Sequence, residues 1–317
     1  MCIIEKPCIF LTSTGRTGTQ FLGHNMADMI QDCESFHEPD VLWLKRPGDW
    51  SNKLRSLISH RMTWGGFSLK YSIRTLNVWR HMGKIRDEDA IGYLHCLRGN
   101  FISGIKAKIF VEANAAFNAF GDLLPKAFPN SKIIYIIRDP RDCVRSYMNF
   151  GLTSPYGPLD TRSWFPQFRL KAKYIPKDPS QRRWSRMSHF EKLCWMWNRE
   201  NTFAVRCMQK TVNARVFRFE DLFNRGDNYL AFSNMLKFAT LFPSGFQAHY
   251  EFNPKALGKK VHSLASGPFP KWSDWRETHV EQLHYHCQDL MKEFQYGTEP
   301  EWERRIAVTV EGENSRQ

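Results

Sequence analysis

The sequence predicts an α/β fold: a parallel sheet in a three-layer arrangement, with helices on both faces and long basic insertions. Three observations carry this. First, the short apolar runs Cys8-Ile9-Phe10-Leu11 and Ile133-Ile134-Tyr135-Ile136-Ile137 read as strands covered on both faces. Second, each run leads through a polar turn into a helical pattern, and strands alternating with helices argue for a parallel sheet. Third, 317 residues are enough to bury a sizeable core in one α/β domain.

The elements follow in order. Strand 8–13 leads to a helix over 18–31, with Phe21, Leu22, Met26, Met29 and Ile30 on one face. A short strand near 34–37 ends at Phe36-His37-Glu38-Pro39, because the residue before a proline is forced extended and the proline stops the strand. Residues 45–100 are mixed, helical and basic. Lys108-Ile109-Phe110-Val111 reads as a strand with Glu112-Ala113-Asn114 at its end. Helices over 117–124 and 139–149 flank a strand at 132–138. Residues 150–185 contain five prolines and read as a long irregular excursion, a kind of loop that is usually functional or disordered. A helix over 187–210 precedes a strand at 214–219. A final amphipathic helix follows Trp272-Ser273-Asp274-Trp275, with Ser273 or Asp274 as N-cap. Residues 307–317 read as a flexible tail. The expected organisation is one domain over 1–306, with insertions at 45–105 and 150–186.

Two turns carry the chemistry: Thr12-Ser13-Thr14-Gly15-Arg16-Thr17-Gly18-Thr19 and Arg138-Asp139-Pro140-Arg141-Asp142-Cys143-Val144-Arg145-Ser146. A strand, a turn and a helix N-terminus together make an anion site, because unpaired N–H groups point at the ligand. Two such turns on one sheet imply a ligand with two separated phosphate-like groups. The first lacks the Lys-Ser/Thr pair of a nucleotide triphosphatase loop, since Gly18 is followed by Thr19-Gln20. Its cation is Arg16, inside the turn. That fits an anion neutralised without a metal.

At these residues the chain resembles the sulfotransferases that use 3′-phosphoadenosine-5′-phosphosulfate (PAPS). Gly15-Arg16-Thr17-Gly18-Thr19 resembles their 5′-phosphosulfate loop, and Arg138 with Ser146 resembles their 3′-phosphate motif. Phe190-Glu191-Lys192-Leu193-Cys194-Trp195-Met196-Trp197 and Val216-Phe217-Arg218-Phe219-Glu220-Asp221-Leu222 resemble later family segments. The resemblance implies a P-loop-type sheet and transfer of a sulfuryl group from PAPS, the co-substrate, to a hydroxyl acceptor without a metal. It implies that Gly15, Arg16, Thr17, Gly18, Thr19 and Gln20 hold the 5′ group, and that Arg138 and Ser146 hold the 3′-phosphate. An acceptor hydroxyl needs a base. Glu38 is the candidate, at the strand end where tyrosylprotein and heparan-type relatives carry a Glu. His37 is the rival, since cytosolic relatives use His. Strand alternation lets only one of the two neighbours face the substrate. Tyrosylprotein relatives also carry an assisting Lys where this chain has Glu112-Ala113-Asn114-Ala115, leaving Lys106 or Lys108 to substitute. Gly258-Lys259-Lys260 or Lys271 is the candidate to close over the 3′-phosphate.

The net charge of +13 is concentrated: residues 45–86 carry +9 and residues 150–186 carry +6. Both segments interleave aromatics with Lys and Arg. They are the expected acceptor side, suited to an anionic glycan or glycoconjugate, with a plain PAPS-steering surface as the simpler reading. No apolar run approaches the roughly 18 residues of a membrane span. The eight cysteines form no C-x-x-C pair. A cytoplasmic setting is expected, with a soluble Golgi-lumenal catalytic domain as the alternative. His279, His284, His286 and Cys287 do not share a helix face suited to zinc. A P-loop kinase and a nucleic-acid-binding protein are the competing classes. The missing Lys-Ser/Thr pair disfavours the first, and the lack of any RNA- or DNA-binding signature disfavours the second.

Overall fold

A computed structural model describes residues 3–39, 72–223, 229–252, 254–257 and 267–314. Among these, five strands form one sheet: β1 (Cys8–Ser13), β2 (Cys33–His37), β3 (Ile109–Ala113), β4 (Ser131–Ile137) and β5 (Ala214–Arg218). Their order is β2-β3-β1-β4-β5, and every pairing is parallel. The longer helices are α1 (Thr19–Met29), α2 (Ile73–His81), α3 (Asp87–Gly104), α4 (Pro140–Met148), α5 (His189–Met208), α6 (Leu230–Thr240), α7 (Glu277–Glu293) and α8 (Pro300–Asn314). The chain divides into two compact units, residues 1–137 with 203–261 and residues 138–202 with 262–317.

The first unit holds the sheet. β1, β3 and β4 are buried along their whole length, which is why they read as unbroken apolar runs. Alternation sends Ile9, Leu11, Val111, Ile134 and Ile136 to one face. There they pack with Phe21, Leu22 and Met26 of α1 and Phe232, Met235 and Leu236 of α6. Phe10 and Phe110 point to the other face, where the Phe10 ring lies 6.1 Å from Phe110, 5.3 Å from Phe117 and 5.5 Å from Phe128. Phe101 of α3 adds an edge contact to Phe110 at 5.6 Å. Helices therefore cover both faces, as expected. The strand order adds what the sequence withholds. The chain fills one side of β1 with β3 and β2, then crosses to β4 and β5, so β1 borders the switch point where such sheets bind ligands.

One charged pair is sunk in the apolar layer. Arg98 donates to both Glu112 carboxylate oxygens, at 2.7 and 2.8 Å, and both side chains are at most 2% exposed. Asn114 Nδ2 adds a bond to Glu112 Oε1 at 2.9 Å, so the carboxylate has three donors.

The second unit is largely helical. Arg141 of α4 is clamped by Asp139 and Glu299 and lies over the Trp272 and Trp302 rings at 4.8 and 5.1 Å. Residues 150–186 form short 3-10 turns and bends rather than long helices, as the prolines require. Asp160 is their hub, accepting from Tyr156 N, Ser163 Oγ and Arg169 Nε at 2.9, 2.6 and 3.1 Å.

Four expectations change. The helix expected over 117–124 is a 3-10 turn, Ala115–Phe120, then a one-turn helix, Leu124–Ala127. Asn114 caps the first piece, its Oδ1 accepting from Ala116 N at 3.0 Å. α7 starts after Arg276, because Ser273 and Asp274 belong to their own 3-10 turn, Trp272–Asp274. Residues 307–314 continue α8, which buries Trp302, instead of fraying. α6 was not anticipated. Residues 45–71 of the first basic segment lie outside the described residues.

Glu112→Ala leaves Arg98 charged and buried without its carboxylate. Denaturant unfolding is expected to show a loss of about 3–5 kcal/mol. Adding Arg98→Met to that variant should restore much of it, because an apolar side chain no longer needs the carboxylate.

Candidate active site

The first unit presents the turn after β1. Ser13 Oγ accepts from Gly15 N at 2.9 Å and bends the chain out of the strand. Gly15 (φ 89°), Arg16 (φ 62°) and Gly18 (φ 76°) then take left-handed backbone. Glycine adopts this freely, whereas Arg16 does so at a cost of about 1–2 kcal/mol. Gly18 is the N-cap of α1 and supplies no side-chain cap, and no acid lies in the first turn. The leading N–H groups of α1 are thus left without a side-chain acceptor, at the positive end of the helix dipole. The Thr17 hydroxyl is buried and makes no hydrogen bond among the described residues. A left-handed turn, an uncapped helix start and a buried unsatisfied hydroxyl fit an oxyanion, because each lacks an acceptor or partner that such a group supplies. Thr19 is buried as well, and Arg16 and Gln20 are half-buried.

Glu38 and His37 stand at the end of β2. His37, Ala113, Leu11 and Ile134 share one register row across the sheet. Glu38 and the turn after Ser13 therefore leave the sheet at the same rim, two strand spacings or about 10 Å apart. His37 packs on α1: its ring centre is 5.8 Å from that of His24, and a Cβ at Gly23 would sit 2.7 Å from His37 Cβ. Glu38 points elsewhere. Its N–H donates to Ala113 O at 3.0 Å, its φ is 42°, and its carboxylate meets Arg74 Nη2 of α2 at 3.1 Å. The neighbours diverge, but Glu38 lies beyond β2 in left-handed backbone and not in the extended form expected before Pro39, so the divergence comes from the turn and not from strand alternation. Arg74 follows Ser72, whose Oγ caps α2 by accepting from Thr75 N at 3.1 Å. Sequence reasoning missed Arg74 because nothing local ties it to a residue 36 positions earlier.

Asn114 is engaged in capping and in holding Glu112. Lys106 and Lys108 precede β3 and so sit at the opposite rim from Glu38. Lys108 pairs there with Asp32 at 3.3 Å. Neither replaces the missing lysine.

The second unit presents Arg138 and Ser146. Arg138 directly follows β4 in the chain. The Asp139 carboxylate caps α4 by accepting from Arg141 N at 2.8 Å, and Pro140 starts the helix. Burial pushes the Asp139 carboxyl up, against the pull of Arg141. Arg138 Nη2 meets Asp142 Oδ2 at 3.1 Å. Ser146 lies four residues beyond Asp142, hence on the same face of α4 one turn further on. Trp197 Nε1 donates to Arg138 O at 3.0 Å and fixes the backbone there. That gives a physical role to one of the tryptophans of the aromatic helix.

Other candidates are absorbed by packing. His279 lies on Phe190 at 4.5 Å, His286 Nε2 meets Glu191 at 3.3 Å, and the Cys287 thiol donates to Cys194 O. Among the described residues, no three His, Cys, Asp or Glu side chains are grouped to hold a metal. No described helix is long and apolar enough to cross a membrane. Lys271 is exposed before the turn Trp272–Asp274, and Gly258-Lys259-Lys260 lies outside the described residues.

Comparison with known proteins gives a family match. A model of the sulfotransferase family matches residues 7–174, more than half of the chain. No curated protein matches. Among solved structures, the chain is similar to a sulfotransferase from Alicyclobacillus acidocaldarius, with 16% identity over 95% of this chain and 100% of that one, at a TM-score of 0.42. The sulfotransferase domain of the Synechococcus PCC 7002 olefin synthase is 12% identical over 93% and 96%, at 0.44. The sulfotransferase STF9 from Mycobacterium avium is 13% identical over 93% and 78%, at 0.46. The parallel sheet, the anion turn after β1 and the family match lead to one conclusion: the chain belongs to the sulfotransferase family.

Proposed function

We propose that the protein transfers the sulfuryl group of PAPS to a hydroxyl of a carbohydrate or glycoconjugate, with Glu38 as general base. The observation that carries the reading is the turn after β1, whose left-handed residues, uncapped helix start and buried Thr17 hydroxyl together want an anion. In this reading the N–H groups of residues 16–20, with Arg16 and the Thr17 and Thr19 hydroxyls, hold the 5′-phosphosulfate. They stabilise charge that builds on the leaving phosphate as the sulfur–oxygen bond breaks. Arg138 pairs with the 3′-phosphate and Ser146 donates to it. Glu38 takes the proton of the acceptor hydroxyl while that oxygen attacks sulfur in line. Arg74 is a positioning residue: it holds the carboxylate by an ion pair and leaves the second oxygen for the acceptor. His37, packed on α1, is the less suited base. The transferred group carries a single negative charge, so no metal is required in this scheme.

An anionic glycan acceptor is supported by the exposed cations of residues 150–186. Arg182 is the better probe there, since Arg183 is engaged with Glu191 and lies over the Tyr285 ring at 5.2 Å. A reducing, cytoplasmic setting is supported by the seven free thiols among the described residues, five of them buried.

The direct test is transfer of labelled sulfate from PAPS to a panel of glycans, with Glu38→Gln as control. The variant should lose about 10²–10⁴-fold in kcat with little change in the KM for PAPS. His37→Asn should lose far less, and the reverse ranking would move the base to His37. Arg138→Ala should weaken 3′,5′-adenosine bisphosphate binding about tenfold or more with melting nearly unchanged, because it removes a charge-assisted contact. Unaltered affinity would remove Arg138 from the 3′-phosphate.

A further inference from the structure

The excursion over residues 150–186 is tied together by several buried polar groups. Asp160, 5% exposed, takes the bonds from Tyr156, Ser163 and Arg169. Tyr156 OH donates to Leu170 O at 2.6 Å, and Lys171 Nζ donates to Ser163 O. Leu159 N donates to Leu152 O at 2.9 Å, which brings these two residues side by side. Tyr156 and Trp184 lock edge to face at 5.2 Å beneath them.

The large apolar side chains of the same turns point to water. Trp164 is 69% exposed, Leu152 60%, Leu159 57% and Phe165 47%. Single exposed apolar residues are ordinary. Four of them within the fourteen residues from Leu152 to Phe165 are not, and the bonds to buried Asp160 tie together the turns that carry them. The segment also carries a charge of +6, with Lys173, Lys177, Arg182 and Arg186 exposed.

Exposed Trp, Phe and Leu beside exposed cations match one surface in particular. Indole and phenyl rings settle at the level of lipid headgroups, aliphatic side chains enter the acyl boundary, and each Lys or Arg near anionic headgroups adds about 1 kcal/mol. We propose that the segment bearing the exposed Leu152, Leu159, Trp164 and Phe165 docks the protein on an anionic lipid surface. The docking is peripheral and reversible. It does not rest on the sulfuryl-transfer reading, since it needs only exposed apolar side chains and cations.

The test is co-sedimentation of the full chain with phosphatidylcholine vesicles, with and without phosphatidylglycerol. The protein should pellet with the phosphatidylglycerol vesicles and much less with phosphatidylcholine alone, and added salt should release it. Trp164→Ser with Phe165→Ser should lower the bound fraction about tenfold, with melting and bisphosphate affinity unchanged, by removal of interfacial apolar area. Lys173→Gln with Lys177→Gln provides an independent arm. It should weaken binding to the anionic vesicles about tenfold or more and leave the faint binding to neutral vesicles alone. Failure to pellet with the anionic vesicles overturns the proposal. So does equal pelleting by both variants, which would leave the segment to a protein partner.

Discussion

Three left-handed residues in the four from Gly15 to Gly18 set the terms for the rest of the first unit. Such backbone is costly at Arg16. It persists only where both ends are fixed. One end is β1, buried along its whole length between β3 and β4. The other is α1, whose Phe21, Leu22 and Met26 are locked into the core beneath the sheet. Gly23 lets α1 approach β2 closely enough to touch His37, and Phe219 packs 3.4 Å from where a Gly18 Cβ would lie. The turn is thus held by packing on both sides. The work left to a ligand is to satisfy its N–H groups and the Thr17 hydroxyl.

Charge is divided between structure and surface. Several arginines are engaged internally with carboxylates. Arg80 binds Asp122, Arg98 binds Glu112, Arg141 binds Asp139 and Glu299, and Arg169 binds Asp160. These pairs stabilise mainly by not leaving a charge alone, since the desolvation of both partners offsets most of the attraction. The cations that can act on a ligand are those outside such pairs, such as Arg182 and Lys173. Such pairs cancel in the net charge of +13, which therefore resides in the cations outside them, and their positions decide what an anionic partner meets.

The sheet and the anion turn were legible in the sequence because both are local. β1 and β4 are covered on both faces and so read as unbroken apolar runs. The glycines at 15 and 18 announce the turn by themselves. What was hidden depends on contacts between distant segments. Arg74 meets Glu38 across 36 residues, and Trp197 reaches the Arg138 carbonyl across 59. Strand order was hidden for the same reason. The start of α7 at Arg276 and the helical state of 307–314 were misjudged because tertiary packing, including burial of Trp302, outweighed local signals. The left-handed backbone of Glu38 was hidden as well, since the proline after it argues for an extended residue.

The central proposal is that the chain binds a nucleotide bearing two separated phosphates and does so without a metal. It is tested most directly by thermal unfolding with 3′,5′-adenosine bisphosphate, ADP, and ATP with Mg²⁺. At a hundred times its dissociation constant, a ligand that binds the folded chain stabilises it by about 2.7 kcal/mol. The account predicts that the bisphosphate raises the melting temperature strongly, ADP weakly, and ATP with Mg²⁺ no more than ADP. A shift confined to ATP with Mg²⁺ would contradict it and would assign the turn after β1 to nucleotide triphosphate chemistry.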